Sequence, residues 1–207
     1  GVINFDEALK IVRDRGIIFE EAVPAGKGGM AAILGMADAK VEELCENADG
    51  IVVPANYNSP GQLVISGEIE AVKKVAEDAK AAGAMHTVLL KVSGPFHSPL
   101  LADASVKLKD RLEKASFNPL NENRVMSNVT ANYHSDSEIK DLLVKQMYSP
   151  VKWKETIQNL INEGFERFIE VGPGMVLSGF MRSIDRTKKA MSIRDLATLN
   201  KALEALK

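Results

Sequence analysis

The chain has 207 residues, 45% hydrophobic and 26% charged, with a formal net charge of -2; this is globular composition with room for a sizeable core and one or two domains, and with no global drive toward nucleic acid or membrane surfaces. The single cysteine, Cys45, excludes an internal disulfide and fits a reducing compartment, and three histidines beside it are too few for an ordinary structural zinc site. No apolar run approaches the ~20 residues that span a bilayer and no signal-peptide pattern is visible, so the expected location is cytoplasmic.

Taken in order, Asn4 and Glu7 have capping-box spacing, which predicts a helix from about Phe5. On a helical wheel Ala8, Leu9, Val12 and Phe19 share one face, and Glu7, Lys10, Asp14 and Glu21 lie opposite. Arg15 falls about 40° from both Ile11 and Phe19, at the edge of the apolar stripe. An arginine there needs an anion, because an unpaired buried charge is costly. A structural ion pair or a side chain snorkelling to water would satisfy it, and so would a bidentate grip on a substrate carboxylate.

Pro24-Ala-Gly-Lys-Gly-Gly29 ends this helix and reads as a hinge. A compact pattern follows: a strand over Met30–Leu34, a helix from Asp38 to about Asn47, a strand over Ile51–Pro54, a turn-rich loop from Asn56 to Gly61, a strand over Gln62–Ser66, a helix through Ile69, Val72 and Ala79 stopped by Gly83, and a strand over Thr87–Val92. The order βαββαβ is that of a ferredoxin-like domain.

The next stretch, Ser93-Gly-Pro-Phe-His97-Ser-Pro99, joins that strand to a helix running to about Ala115, with Ser98 as N-cap and Pro99 at the first helical position. Strand-to-helix corners are where α/β proteins place chemistry. A histidine at a helix mouth is disfavoured as imidazolium, and neutral imidazole is what a general base must be. A capping or packing histidine fits the same local pattern. Beyond it, Arg124–Thr130 reads as a strand, Ser135 and Glu138 as a capping box for a helix to Met147, and Ser149-Pro150 as the start of the helix holding Trp153, Ile157 and Leu160. Phe165–Val171 reads as a buried strand, Gly172-Pro-Gly174 as a turn into a helix, Met191–Ile193 as a short strand and Asp195 as the start of a last helix. Strands alternating with helices argue for a parallel α/β layer.

There is no P-loop, no Gly-x-Gly-x-x-Gly after a strand and no His-Glu-x-x-His, so neither nucleotide nor metal binding has a motif behind it. Proline removes an amide donor from Gly172-Pro-Gly174, which makes it tight-turn chemistry before it is an anion cradle. The Arg186-Thr-Lys-Lys189 run reads first as a solvated face. The nucleophile elbow Gly-x-Ser-x-Gly is also absent.

Five separated stretches, RGIIFEEAVPAGKGGMAAILG, VVPANYNSPGQLVISG, VSGPFHSPLL, VKQMYSPVKW and FIEVGPGMVLSGF, resemble the malonyl-CoA:acyl carrier protein transacylase family of bacterial fatty-acid synthesis and the related acyltransferase domains of polyketide synthases. The resemblance runs in family order from Gly1 to about Phe180. It implies an α/β-hydrolase-like large domain, incomplete here, formed by residues 1–24 and 94–207, with an inserted ferredoxin-like small domain at residues 25–93. It also implies transfer of malonyl from malonyl-CoA to the phosphopantetheine thiol of acyl carrier protein through an acyl-serine, with no bound cofactor and no metal.

By the same resemblance His97 matches the catalytic base, Arg15 the grip on the malonyl carboxylate, Gln146 the residue whose main-chain carbonyl orients the histidine, and Asn56 and Asn58 the lining of the substrate cleft. Phe96 resembles malonyl-selecting rather than methylmalonyl-selecting domains. The family's serine elbow and oxyanion loop lie upstream of the segment matched here, so a missing N-terminal segment of the same enzyme is the expected partner, beside an acidic carrier protein that lysines such as Lys152, Lys188 and Lys189 would attract. Two alternatives remain at this point: a non-catalytic fragment or scaffold half that binds a ligand or partner, and a serine hydrolase.

Overall fold

The computed structural model describes residues 1–122 and 124–206. In chain order the elements are α1 (Phe5–Ala22), β1 (Gly28–Leu34), α2 (Asp38–Glu46), β2 (Val52–Ser59), β3 (Gln62–Glu68), α3 (Ile69–Ala81), β4 (His86–Leu89), a single 3-10 turn (Pro99–Leu101), α4 (Ala102–Glu113), α5 (Ile139–Lys145), α6 (Trp153–Asn162), β5 (Arg167–Val171), α7 (Val176–Ile184), β6 (Lys189–Ile193) and α8 (Leu196–Leu206). The fold is α/β.

β1 to β4 form one antiparallel sheet in the order β2-β3-β1-β4, so the pattern βαββαβ read from the sequence is the pattern observed. Side chains alternate across a strand, and both faces of this sheet are used. Ile33, Leu63 and Ile65 pack under Val41 of α2 and Val72 and Val75 of α3. Met30, Ala32, Ala55 and Val64 form a smaller cluster on the other face, against Phe96. A third cluster joins α1, α4 and α5 through Ile11, Ile18, Phe19, Leu101, Leu108, Leu112 and Met147, and Phe96 packs against that one as well. The residue preceding His97 therefore sits at the junction of two cores.

Several expectations change. β2 runs on to Ser59 rather than stopping at Pro54, because the segment of Val151 lies along its edge: the Tyr57 amide donates to the Val151 carbonyl at 2.9 Å and the Val151 amide to Ala55 at 2.8 Å. The strand carries register shifts at Pro54/Asn56 and Tyr57/Ser59, where the proline and turn residues had argued for a loop. Gly28 and Gly29 are strand residues of β1, not hinge: a Cβ on Gly28 would lie 2.4 Å from the Pro95 ring. The missing side chain of Gly28 lets the segment before His97 press directly on the sheet, while that of Gly29 makes room for Ile69 of α3.

On α1, Asn4 caps as expected, accepting from the Asp6 amide at 2.9 Å. Glu7 does not complete a capping box. It accepts from Arg111 of α4 at 2.8 Å, and Asp14 accepts from the same guanidinium at 2.7 Å. That turns the charged side of α1 toward α4, so Ile11, Ile18 and Phe19 are buried whereas Leu9 and Val12, expected inside, are 59% and 64% exposed.

No strand forms over 124–130. Met126 makes one bridge, to Tyr133, and Ser127 closes a tight turn by accepting from the Ala131 amide and donating to Asn132. β5 and β6 pair in parallel, as the alternation required, but β5 is not the buried strand expected. Among the described residues it has β6 as its one neighbour, and Val171 is 78% exposed.

Candidate active site

His97 occupies a sharp corner. Its φ is 60°, in the left-handed region that few residues other than glycine adopt. The corner is fastened on several sides. The His97 amide donates to the Met147 carbonyl at 3.1 Å. Ser98 is fully buried and its hydroxyl donates to the Pro95 carbonyl at 2.7 Å, so this serine is committed to the turn rather than to chemistry.

The imidazole Nδ1 lies 2.8 Å from the Gln146 main-chain oxygen. A carbonyl can only accept, so Nδ1 carries the proton and Nε2 keeps its lone pair. Burial pushes the His97 pKa below its ordinary value of 6.5; the nearby positive charge of Arg15 pushes the same way, while the main-chain groups of Gln146 and Ser149 oppose it. The neutrality expected from a helix dipole thus has a different main source. The 3-10 turn stands between His97 and α4, and desolvation is the larger cause.

Arg15 projects from the middle of α1. Its Nε is shut off from solvent without a hydrogen-bond partner, and no carboxylate pairs with it among the described residues. Burial lowers its pKa. The structural ion pair that the sequence left open is therefore taken by Arg111, not by Arg15. Arg15 and Gln146 line one cavity of about 360 Å³, whose other walls are apolar and include Val12, Leu108 and Leu143. Its guanidinium carbon stands 4.4 Å from the Phe19 ring centroid.

The imidazole and the unpaired guanidinium are near enough for the charge of Arg15 to act on His97, and Gln146 is common to both surroundings, binding the ring through its carbonyl and lining the cavity with Arg15. Asn56 is half-buried on β2 and bridges in parallel to Val151, five residues beyond Gln146, so it lies beside the strap that holds the histidine. Asn58 is half-buried further along β2, and among the described residues no hydrogen bond or bridge joins it to His97 or Arg15. The sequence reading overlooked the Met147 carbonyl, which carries no side-chain signal, and the aromatic pair Phe19 and Phe96, whose rings meet edge to face with centroids 4.9 Å apart. No local spacing links Phe19 to Phe96; the one-turn spacing of Arg15 and Phe19 signals only the contact between those two.

Gly172-Pro-Gly174 behaves as tight-turn chemistry. The amides of Leu177 and Ser178 at the start of α7 donate to the Glu170 carboxylate at 3.2 and 2.9 Å, so a protein carboxylate occupies the position a phosphate would need. Among the described residues no group of three or more His, Cys, Asp or Glu could hold a metal ion, and no helix is long and apolar enough to cross a membrane.

Residues 1–203 match the family described as acyl transferase domain. The malonyl CoA-acyl carrier protein transacylase of Bacillus subtilis is 42% identical over the whole chain, which covers 66% of that protein. The crystal structure of the transacylase of the same name from Clostridium perfringens superposes with a TM-score of 0.95 at 43% identity, covering 100% of this chain and 66% of that one. A malonyl-transacylase solved in complex with a type II polyketide acyl carrier protein superposes with a TM-score of 0.94 at 39% identity, over 99% of this chain and 67% of that one. The chain spans about two thirds of the length of the relatives it matches. Matched across nearly its whole length, it belongs to the acyl transferase domain family, with the malonyl CoA-acyl carrier protein transacylases as its relatives.

Proposed function

We propose that this chain supplies the base and the acyl-selecting cation of a malonyl-CoA:acyl carrier protein transacylase, and that the nucleophilic serine comes from a further segment of the same enzyme. The arrangement carrying this reading is His97, with Nδ1 bound to Gln146 so that Nε2 keeps its lone pair, beside the anion-less Arg15. His97 Nε2 takes the serine proton as its oxygen bonds to the thioester carbonyl carbon. The tetrahedral adduct collapses, the C–S bond breaks, and the proton passes to the departing coenzyme A sulfur. In the second half the carrier protein's phosphopantetheine thiol gives its proton to His97, attacks the acyl-serine ester, and the serine oxygen recovers the proton.

A backbone carbonyl is sufficient to hold the ring in this tautomer, and it avoids placing a third carboxylate near a malonyl group. Arg15 pairs with the malonyl carboxylate, while Asn56 and Asn58 line the cleft. An acetyl group leaves the guanidinium unpaired, which disfavours it by a few kcal/mol, about a hundredfold. No cofactor takes part.

The reading extends to architecture. Residues 1–24 and 94–207 belong to a hydrolase-like large domain and residues 25–93 to a ferredoxin-like insert, consistent with the antiparallel order of β1 to β4. The serine-bearing segment covers the exposed Leu9 and Val12 and the free side of β5.

The test is malonyl and acetyl transfer from their coenzyme A thioesters to carrier protein, by the polypeptide that includes the serine segment. Arg15→Ala is expected to cut the malonyl-over-acetyl preference about a hundredfold. An unchanged preference would overturn the reading. Consumption of malonyl-CoA at the same rate without carrier protein would instead favour a hydrolase.

A further inference from the structure

We infer that Phe19 is a positioning residue: its ring face holds the Arg15 guanidinium in the wall of the cavity, ready for a carboxylate-bearing acyl group. The inference rests on the reading of Arg15 as the carboxylate grip. Four observations carry it.

First, the Arg15 guanidinium carbon is 4.4 Å from the Phe19 centroid, well within the range of a cation–π contact. Second, no other described group compensates the charge: Nε is buried without a partner and no carboxylate pairs with the side chain. The negative face of an aromatic ring then favours the cation before substrate arrives. Third, the two residues stand one turn apart on α1, where side chains lean toward the helix N-terminus, so the Phe19 ring is directed back under Arg15 by helix geometry alone. Fourth, Phe19 cannot drift. It is 8% exposed, belongs to the core shared by α1, α4 and α5, and meets Phe96 edge to face at an interplanar angle of 61°. Phe96 is covalently next to His97, so a single aromatic pair spaces the cation from the base.

The geometry also determines which atoms remain available. With one face of the guanidinium on the ring and Nε enclosed, the terminal nitrogens, which are not shut off from solvent, are left as the donors for a carboxylate. A guanidinium already held in place loses less freedom on binding. The ring therefore contributes to affinity for a carboxylate-bearing acyl group and nothing to an acyl group that lacks one.

The test replaces Phe19 by mono-, di- and trifluorinated phenylalanine in the serine-containing polypeptide, weakening the ring's negative face while keeping its shape. The expected result is a stepwise rise in KM for malonyl-CoA, reaching about tenfold, with kcat and the acetyl-CoA parameters unmoved, and no effect of fluorination in an Arg15→Ala background. Phe19→Tyr should retain native behaviour. A flat malonyl KM across the series, while Arg15→Ala still abolishes the preference, would overturn the platform and leave the grip standing. The converse failure is separable by NMR. The Arg15 Nε–H resonance should be shifted upfield by the ring and return toward its random-coil position in Phe19→Leu; absence of that shift overturns the platform whatever the kinetics show. Loss of malonyl and acetyl transfer in equal proportion across the fluorinated series would assign Phe19 to packing alone and likewise overturn it.

Discussion

The proton-bearing nitrogen of His97 and the main-chain oxygen of Gln146 meet at 2.8 Å across 49 positions of chain. This is a bond to backbone, so it does not depend on what the side chain of residue 146 is. Gln146→Ala should leave the ring in the same tautomer, read as an unchanged protonated Nδ1 signature in the ¹⁵N spectrum of His97. A switch to the Nε2-protonated form in that variant would show that the side chain, not the carbonyl, sets the tautomer.

Removing the imidazole itself should be severe. His97→Ala in the serine-containing polypeptide is expected to slow acyl-serine formation by about two to four orders of magnitude, the usual weight of a positioned general base. Mass spectrometry of the acyl-enzyme after millisecond mixing gives the rate directly, and near-normal labelling would remove His97 from the chemistry.

The pH behaviour follows from the lowered His97 pKa, caused first by burial and then by Arg15. Activity should fall only at pH below the 6.5 of free histidine, because the base stays neutral down to its depressed pKa. Arg15→Met should raise that pKa, moving the acid limb of kcat/KM upward. The stability effect has the matching sign. Between the ordinary and the depressed pKa the unfolded chain binds the proton and the folded one does not, so His97 contributes stability above 6.5 that is lost as pH falls through that window. His134, also lowered by burial, adds in the same direction. Denaturant unfolding across pH 4.5 to 7.5 (roughly spanning the histidine range), compared with a His97→Gln variant, measures the contribution.

Cys45 lies on the buried face of α2, and burial together with Glu42 and Glu46 pushes its pKa up to about 12. The native thiol should therefore ignore alkylating reagents at neutral pH and react only as the molecule opens. Stoichiometric labelling of the folded protein within minutes would contradict this placement.

Gly67 offers a sharp packing test. A Cβ there would lie 1.9 Å from the Ile51 main-chain oxygen, which the neighbouring Glu68 amide already uses at 2.7 Å. Gly67→Ala should destabilise by about 2 kcal/mol or more. For scale, Leu108→Ala, in the core shared by α1 and α4, should cost about 2–5 kcal/mol. Equal stability of Gly67→Ala and the parent would mean that β2 and β3 can part locally at no expense.

Much of this was legible beforehand, and the failures have common causes. The βαββαβ order emerged because its strands and helices alternate in short, cleanly punctuated periods, with Gly83 stopping α3 at positive φ as a C-terminal glycine should. His97 and Arg15 stood out because each breaks a local rule, one as a titratable group in a tight corner and the other as a cation near an apolar stripe. What escaped was whatever depends on a distant neighbour. The turn of the charged side of α1 toward α4 depends on an Arg111 that no wheel drawn on α1 alone could foresee. The run 124–130 has strand composition, but without an adjacent strand among the described residues its backbone closes on itself. β2 outlasted its proline because Val151 supplied hydrogen bonds along its edge.

That last feature has a mechanical side. The strap from Gln146 to Val151 is pinned at one end to the imidazole and at the other to the outermost strand of the small sheet, and Lys154, just beyond, is tethered to Asp38 at the head of α2. The sheet and the ring are thus geared together. A shift of the four-stranded layer would draw the strap along with it, and the imidazole with the strap.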